Sequence, residues 1–198
     1  MYEDLENRIK LLFSENIELT INTCDELASE IAAAGTLIVE QLLKEKKILV
    51  CGNGGSANDA QYFASRFLNR FERERPSLPA ISLTTDISTI TSIANEHSFN
   101  DIYAKQIRSL ANEGDILLAF STSGNSANII QAIQAAHEKK MYVISLNGND
   151  RGDIDRFLNT QDIELRVQTD NYSRVKEIHA LLIHCICDLV DRSLFGIV

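Results

Sequence analysis

Positive charge is scarce in this chain of 198 residues, with 19 Lys and Arg against 28 Asp and Glu and a formal net charge of -9. That balance argues against adhesion to DNA or to an anionic membrane, so neither nucleic acid nor a membrane is an expected partner. No apolar run reaches the length of a bilayer, and Met1-Tyr2-Glu3-Asp4 lacks the basic start and apolar core of a signal peptide. The expected location is the cytoplasm. Cysteine is limited to four residues. Cys185 and Cys187 stand two apart in a helical pattern, where side chains do not face each other, and Cys24 and Cys51 lie in apolar surroundings. All four are expected to be reduced packing residues, with no Cys-ligated metal site. Both prolines fall in Arg75-Pro76-Ser77-Leu78-Pro79, an extended lead into a strand.

What is present is a regular alternation of elements. Apolar runs at Ile48–Cys51, Ala80–Leu83, Asp115–Phe120, Tyr142–Leu146 and Ile163–Val167 predict five buried strands, with helix-period segments between most of them. The result is an α/β chain with a parallel sheet covered on both faces. Residues 2 to about 30 and 32 to 44 predict two N-terminal helices ahead of the first strand, and Leu5, Ile9, Leu12, Phe13 and Ile17 form one stripe that packs across the domain or against another subunit. A last helix is expected over Tyr172–Leu194. The length suits a single domain over 1–198, with N-terminal helices to about 46 and a sheet-and-helix core from about 47.

Two strand-to-helix turns carry the functional signal. Ser121-Thr122-Ser123-Gly124-Asn125-Ser126 follows the third strand, and it sets hydroxyls and free backbone N–H groups at a helix start, where a phosphate is favoured. Ser126 as a plain helix cap in a polar turn is the alternative. Gly52-Asn53-Gly54-Gly55-Ser56 follows the first strand. It lacks the Lys of a P-loop and the spacing of a dinucleotide fingerprint. In one parallel sheet both turns lie at the carboxyl ends of the strands, where open α/β sheets bind ligands. Asn95-Glu96-His97-Ser98 reads as a loop near the same mouth.

Together, Cys51–Ser56, Ser121–Ser126, and Glu177-Ile178-His179 followed by Ile183-His184 resemble the sugar isomerase (SIS) family. Within it the chain resembles the branch that holds phosphoheptose isomerases and a regulator of replication initiation. The resemblance implies a flavodoxin-like, three-layer fold with five parallel strands, assembled as a homotetramer with phosphosugar sites between subunits. It also implies that Asn53, Gly54, Gly55 and Ser56 meet the sugar, that Ser121, Thr122, Ser123 and Ser126 cradle its phosphate, and that Asn95 and Glu96 belong to a second substrate loop.

The positions that hold zinc in phosphoheptose isomerases, one of them the catalytic Glu, read here Tyr62, Arg66, Lys176 and His184. Only His184 survives as a catalytic candidate. A guanidinium stays protonated near neutral pH, and neither it nor an ammonium ligates zinc. Arg66 and Lys176 either project into the metal's place as two fixed cations, or Arg66 pairs with Asp59 or Glu72 and Lys176 is solvated. Asn69–Ile81 resembles the regulator, as does Cys185–Asp191 followed by Ser193-Leu194-Phe195. The expectation is therefore a phosphosugar-binding, non-catalytic protein without cofactor, whose partner is a DnaA-type initiator met through Leu194 and Phe195. The alternative is a zinc-dependent isomerase of sedoheptulose 7-phosphate.

Overall fold

The computed structural model describes residues 2–148 and 152–196. Five parallel strands, β1 (Ile48–Gly52), β2 (Ala80–Ser82), β3 (Ile116–Ser121), β4 (Tyr142–Asn147) and β5 (Ile163–Arg166), form a sheet in the order β2-β1-β3-β4-β5. This is the flavodoxin-like order, in which the chain reverses direction across the sheet between β1 and β3. All five strands stand where the apolar runs predict them, to within about one residue.

Alternation along each strand feeds two cores. Ile48, Val50, Ile116, Leu118 and Phe120 face the layer of α1 (Tyr2–Leu42), α2 (Gly55–Leu68) and α6 (Tyr172–Phe195). Leu49, Cys51, Leu117, Ala119 and Val143 face α4 (Ala104–Leu110) and α5 (Ala127–Glu138). A further helix, α3 (Ile87–Glu96), leads through a 3-10 turn, Phe99–Asp101, into α4.

Three expectations need correction. The N-terminal segment is one helix of 41 residues and not two. It runs straight through Gly35, where a Cβ would stand 3.1 Å from the Leu189 Cβ, so the glycine serves close approach to α6 and does not end the helix. The region of Asn95 and Glu96 is not a loop, because both residues close α3, with His97 as its C-cap and Ser98 capping the next turn. Cys24 is exposed, while Cys51 and Cys187 are buried as expected, and all four thiols are free. No helix among the described residues is long and apolar enough to cross a membrane.

Candidate functional site

The two Gly/Ser turns flank the point where strand order reverses. The first is held in shape by Gly54, whose φ of 54° suits glycine and whose missing Cβ would meet nothing within 4 Å. The N–H of Ser56 donates to the Asn53 carbonyl at 2.9 Å, and Ser56 itself is buried. In the second turn the buried Ser121 hydroxyl accepts the Gly124 N–H at 3.0 Å, and the Ser123 hydroxyl accepts that of Asn125 at 3.4 Å. Ser126 stands at the N-cap of α5, yet its side chain makes no capping hydrogen bond. A side-chain cap is therefore not what this serine provides. Its carbonyl accepts the Ile129 and Ile130 N–H groups, which leaves the N–H groups of Ala127 and Asn128 at the start of α5 for an anion.

This second turn is backed by the segment after β4, where a Cβ on Gly148 would lie 2.2 Å from the Thr122 carbonyl oxygen, so only glycine fits there. Thr122 lines a cleft of about 380 Å³ with Thr169, Asp170, Tyr172 and Val175. The start of α6 forms the opposite wall. Asn171 caps that helix by accepting the N–H groups of Ser173 and Arg174.

Asn53 and Asn128 join the turns through reciprocal amide hydrogen bonds, each 2.8 Å long. Tyr103 donates its hydroxyl to the Gly52 carbonyl at 2.6 Å, so the root of the first turn is fixed from α4's side as well. Burial raises the Tyr103 pKa strongly, and the phenol stays neutral. Asn128 did not stand out in the sequence. An amide at the second position of a helix carries no motif, and only the topology brings it to Asn53.

Tyr62, Arg66 and His184 gather between α2 and α6. The Tyr62 hydroxyl and His184 Nε2 are 3.0 Å apart, and the Arg66 guanidinium lies 5.1 Å from the centre of the Tyr62 ring. Lys176 sits nearer the first turn. Its Nζ donates to the Gly55 carbonyl at 2.8 Å and is paired with the Asp59 carboxylate. Burial pushes the Lys176 pKa down to about 8. Asp59 pairs with Lys176 and not with Arg66. Among the described residues no group of three or more His, Cys, Asp or Glu side chains could hold a metal.

Other expected site residues lie apart. Asn95 and Glu96 are exposed on α3 and hydrogen-bond neither turn among the described residues. Leu194 packs on the core, while Phe195 is 42% exposed. The two stretches that suggested the regulator pack on each other. Arg75, 3% exposed at its side chain, pairs with Asp191 at 2.8 Å and donates to the carbonyls of Arg66 and Phe67 at the end of α2. Leu78, Cys187 and Val190 are core residues. Arg75, Leu78, Cys187, Val190 and Asp191 thus each have a role within the fold.

The fold and the paired turns define a sugar isomerase domain, and the SIS domain family matches residues 13–148. The chain belongs to that family. It is 53% identical over 193 residues to a phosphoheptose isomerase of Chromohalobacter salexigens and 50% identical over 193 residues to that of Halorhodospira halophila, covering 98% of each chain in both comparisons. A phosphoheptose isomerase structure from Francisella tularensis superposes with a TM-score of 0.91 at 46% identity, covering 94% of this chain and 97% of the other. GmhA from Neisseria gonorrhoeae does so with 0.89 at 42%, covering 94% and 98%.

These relatives place the chain in the phosphoheptose isomerase branch and correct three expectations at once. The closeness to the regulator, DiaA, is not shown. The relatives carry the name of an enzyme, which overturns the non-catalytic reading. They are phosphoheptose isomerases and give no support to DnaA as partner.

Proposed function

We propose that this chain is an aldose-ketose isomerase of the phosphoheptose isomerase kind, acting on a ketose phosphate such as sedoheptulose 7-phosphate. The observation that carries the reading is the joining of the two turns at the strand-order reversal by the Asn53–Asn128 amide pair. Phosphate is expected on the hydroxyls and N–H groups of Ser121, Thr122, Ser123 and Ser126 at the start of α5, with the sugar directed toward Asn53, Gly54, Gly55 and Ser56. The names of the full-length relatives support the reaction type.

Isomerisation moves a proton between adjacent carbons and needs a group that exchanges protons near neutrality. Arg66 cannot supply it. His184, hydrogen-bonded to Tyr62, is the residue we assign to that transfer. Purified protein is expected to convert sedoheptulose 7-phosphate, and His184→Ala to lose turnover by about 10²-fold or more while calorimetry still detects sugar-phosphate binding. A protein that binds the ketose phosphate without converting it overturns the isomerase reading. One that does not bind it overturns the assignment of the turns as well.

A further inference from the structure

Zinc needs about four neutral or anionic N, O or S donors, and the four positions that the family resemblance assigns to it offer one imidazole, one phenol and two cations. One of the two imidazole nitrogens, Nε2, is already hydrogen-bonded to the phenol. Arg66 lies over the same phenol ring, where a divalent ion would be repelled. Lys176 reaches across from α6 to the Gly55 carbonyl and to Asp59, whose side chain is 15% exposed. An ammonium has three protons, so two are taken by these acceptors and a third remains. A Cβ on Gly55 would stand 3.4 Å from Lys176 Cε, so the lysine stem also packs on the first turn.

We infer that the ground between α2 and α6, which the resemblance gives to zinc, is held in this chain by internal contacts, the Lys176–Asp59 ion pair and the Tyr62–His184 hydrogen bond, and takes no divalent metal. The inference rests on reading the neighbouring turns as the phosphosugar site. Lys176 acts as a positioning residue that ties the first turn to α6, the mechanical part of what a shared metal would do. The Lys176 charge is balanced by Asp59, so the positive charge left there is that of the Arg66 guanidinium.

Three measurements test this without any sugar. Protein made in zinc-supplemented medium and then dialysed is expected to carry far less than one zinc per chain by mass spectrometry, and its melting temperature to ignore EDTA. Lys176→Met and Asp59→Asn are each expected to lower the melting temperature by about 2–4 °C, with the double variant losing little more than either single one. The variant combining Tyr62→His, Arg66→Glu and Lys176→Gln is expected to gain about one zinc per chain. Stoichiometric zinc in the wild type, additive losses in the pair, or a folded triple variant that takes up no zinc would each overturn the inference. A chain that turns over no ketose phosphate leaves all three readouts standing, so the two readings fail separately.

Discussion

His179 lies in the motif Glu177-Ile178-His179 that helps to mark the family, yet its ring is fully buried, edge-on to Phe120 with centroids 5.9 Å apart. Burial above all pushes its pKa down to about 3, the Asn147 backbone pulling the other way and the Lys176 charge adding to it. The ring is neutral in the folded state. The unfolded chain takes up a proton near pH 6.5 and the folded chain does not until about 3, so stability is complete above pH 6.5 and falls as pH drops through that window. The loss is on the order of 2 kcal/mol by pH 5. Denaturant unfolding at pH 7 and pH 5 checks it, and His179→Met is expected to remove that part of the acid sensitivity. His137 is likewise structural, 2.8 Å from the buried carboxylate of Asp162. A histidine's identity is plain in the sequence, but whether it meets solvent, a carboxylate or a phenyl edge is decided by residues far away in the chain.

At the scale of elements, the end of α2 depends on Arg75. Its guanidinium satisfies the carbonyls of Arg66 and Phe67 and pairs with Asp191 on α6. Arg75→Met leaves a largely buried carboxylate unpaired, and is expected to cost about 3–5 kcal/mol in chemical denaturation. Apolar runs made the strands legible, and the sheet order followed from the family resemblance. Both turns were legible as well, since glycine and serine clusters after a buried strand leave few other readings. The unbroken course of α1 was not, because the Leu189 side chain that makes Gly35 compatible with a helix lies 154 residues further on. Nor was the Lys176–Asp59 pair, which joins α6 to α2 across 117 residues.

Considered as a whole, the molecule leaves one conspicuous face uncovered. Leu5, Ile9, Phe13, Ile17 and Ile21 recur every fourth residue of α1, and each is more than half exposed. Ile9, Phe13 and Ile17 line a groove of about 630 Å³ between α1 and α6, with Ile178 and Leu181 in its other wall. Such a stripe is far longer than the scattered apolar residues of an ordinary surface. Light scattering is therefore expected to give a mass that is a multiple of 22.1 kDa, and Phe13→Glu with Ile17→Glu to reduce it. A wild-type monomer at micromolar concentration would refute this. Within each chain, the amide pair of Asn53 and Asn128 has a consequence of its own. Each side chain donates to and accepts from the other, so turning either amide over would set N–H against N–H and oxygen against oxygen. The two side chains can therefore reorient only in concert, so the loop after β1 and the opening of α5 behave as one coupled unit rather than as two independent strands of backbone.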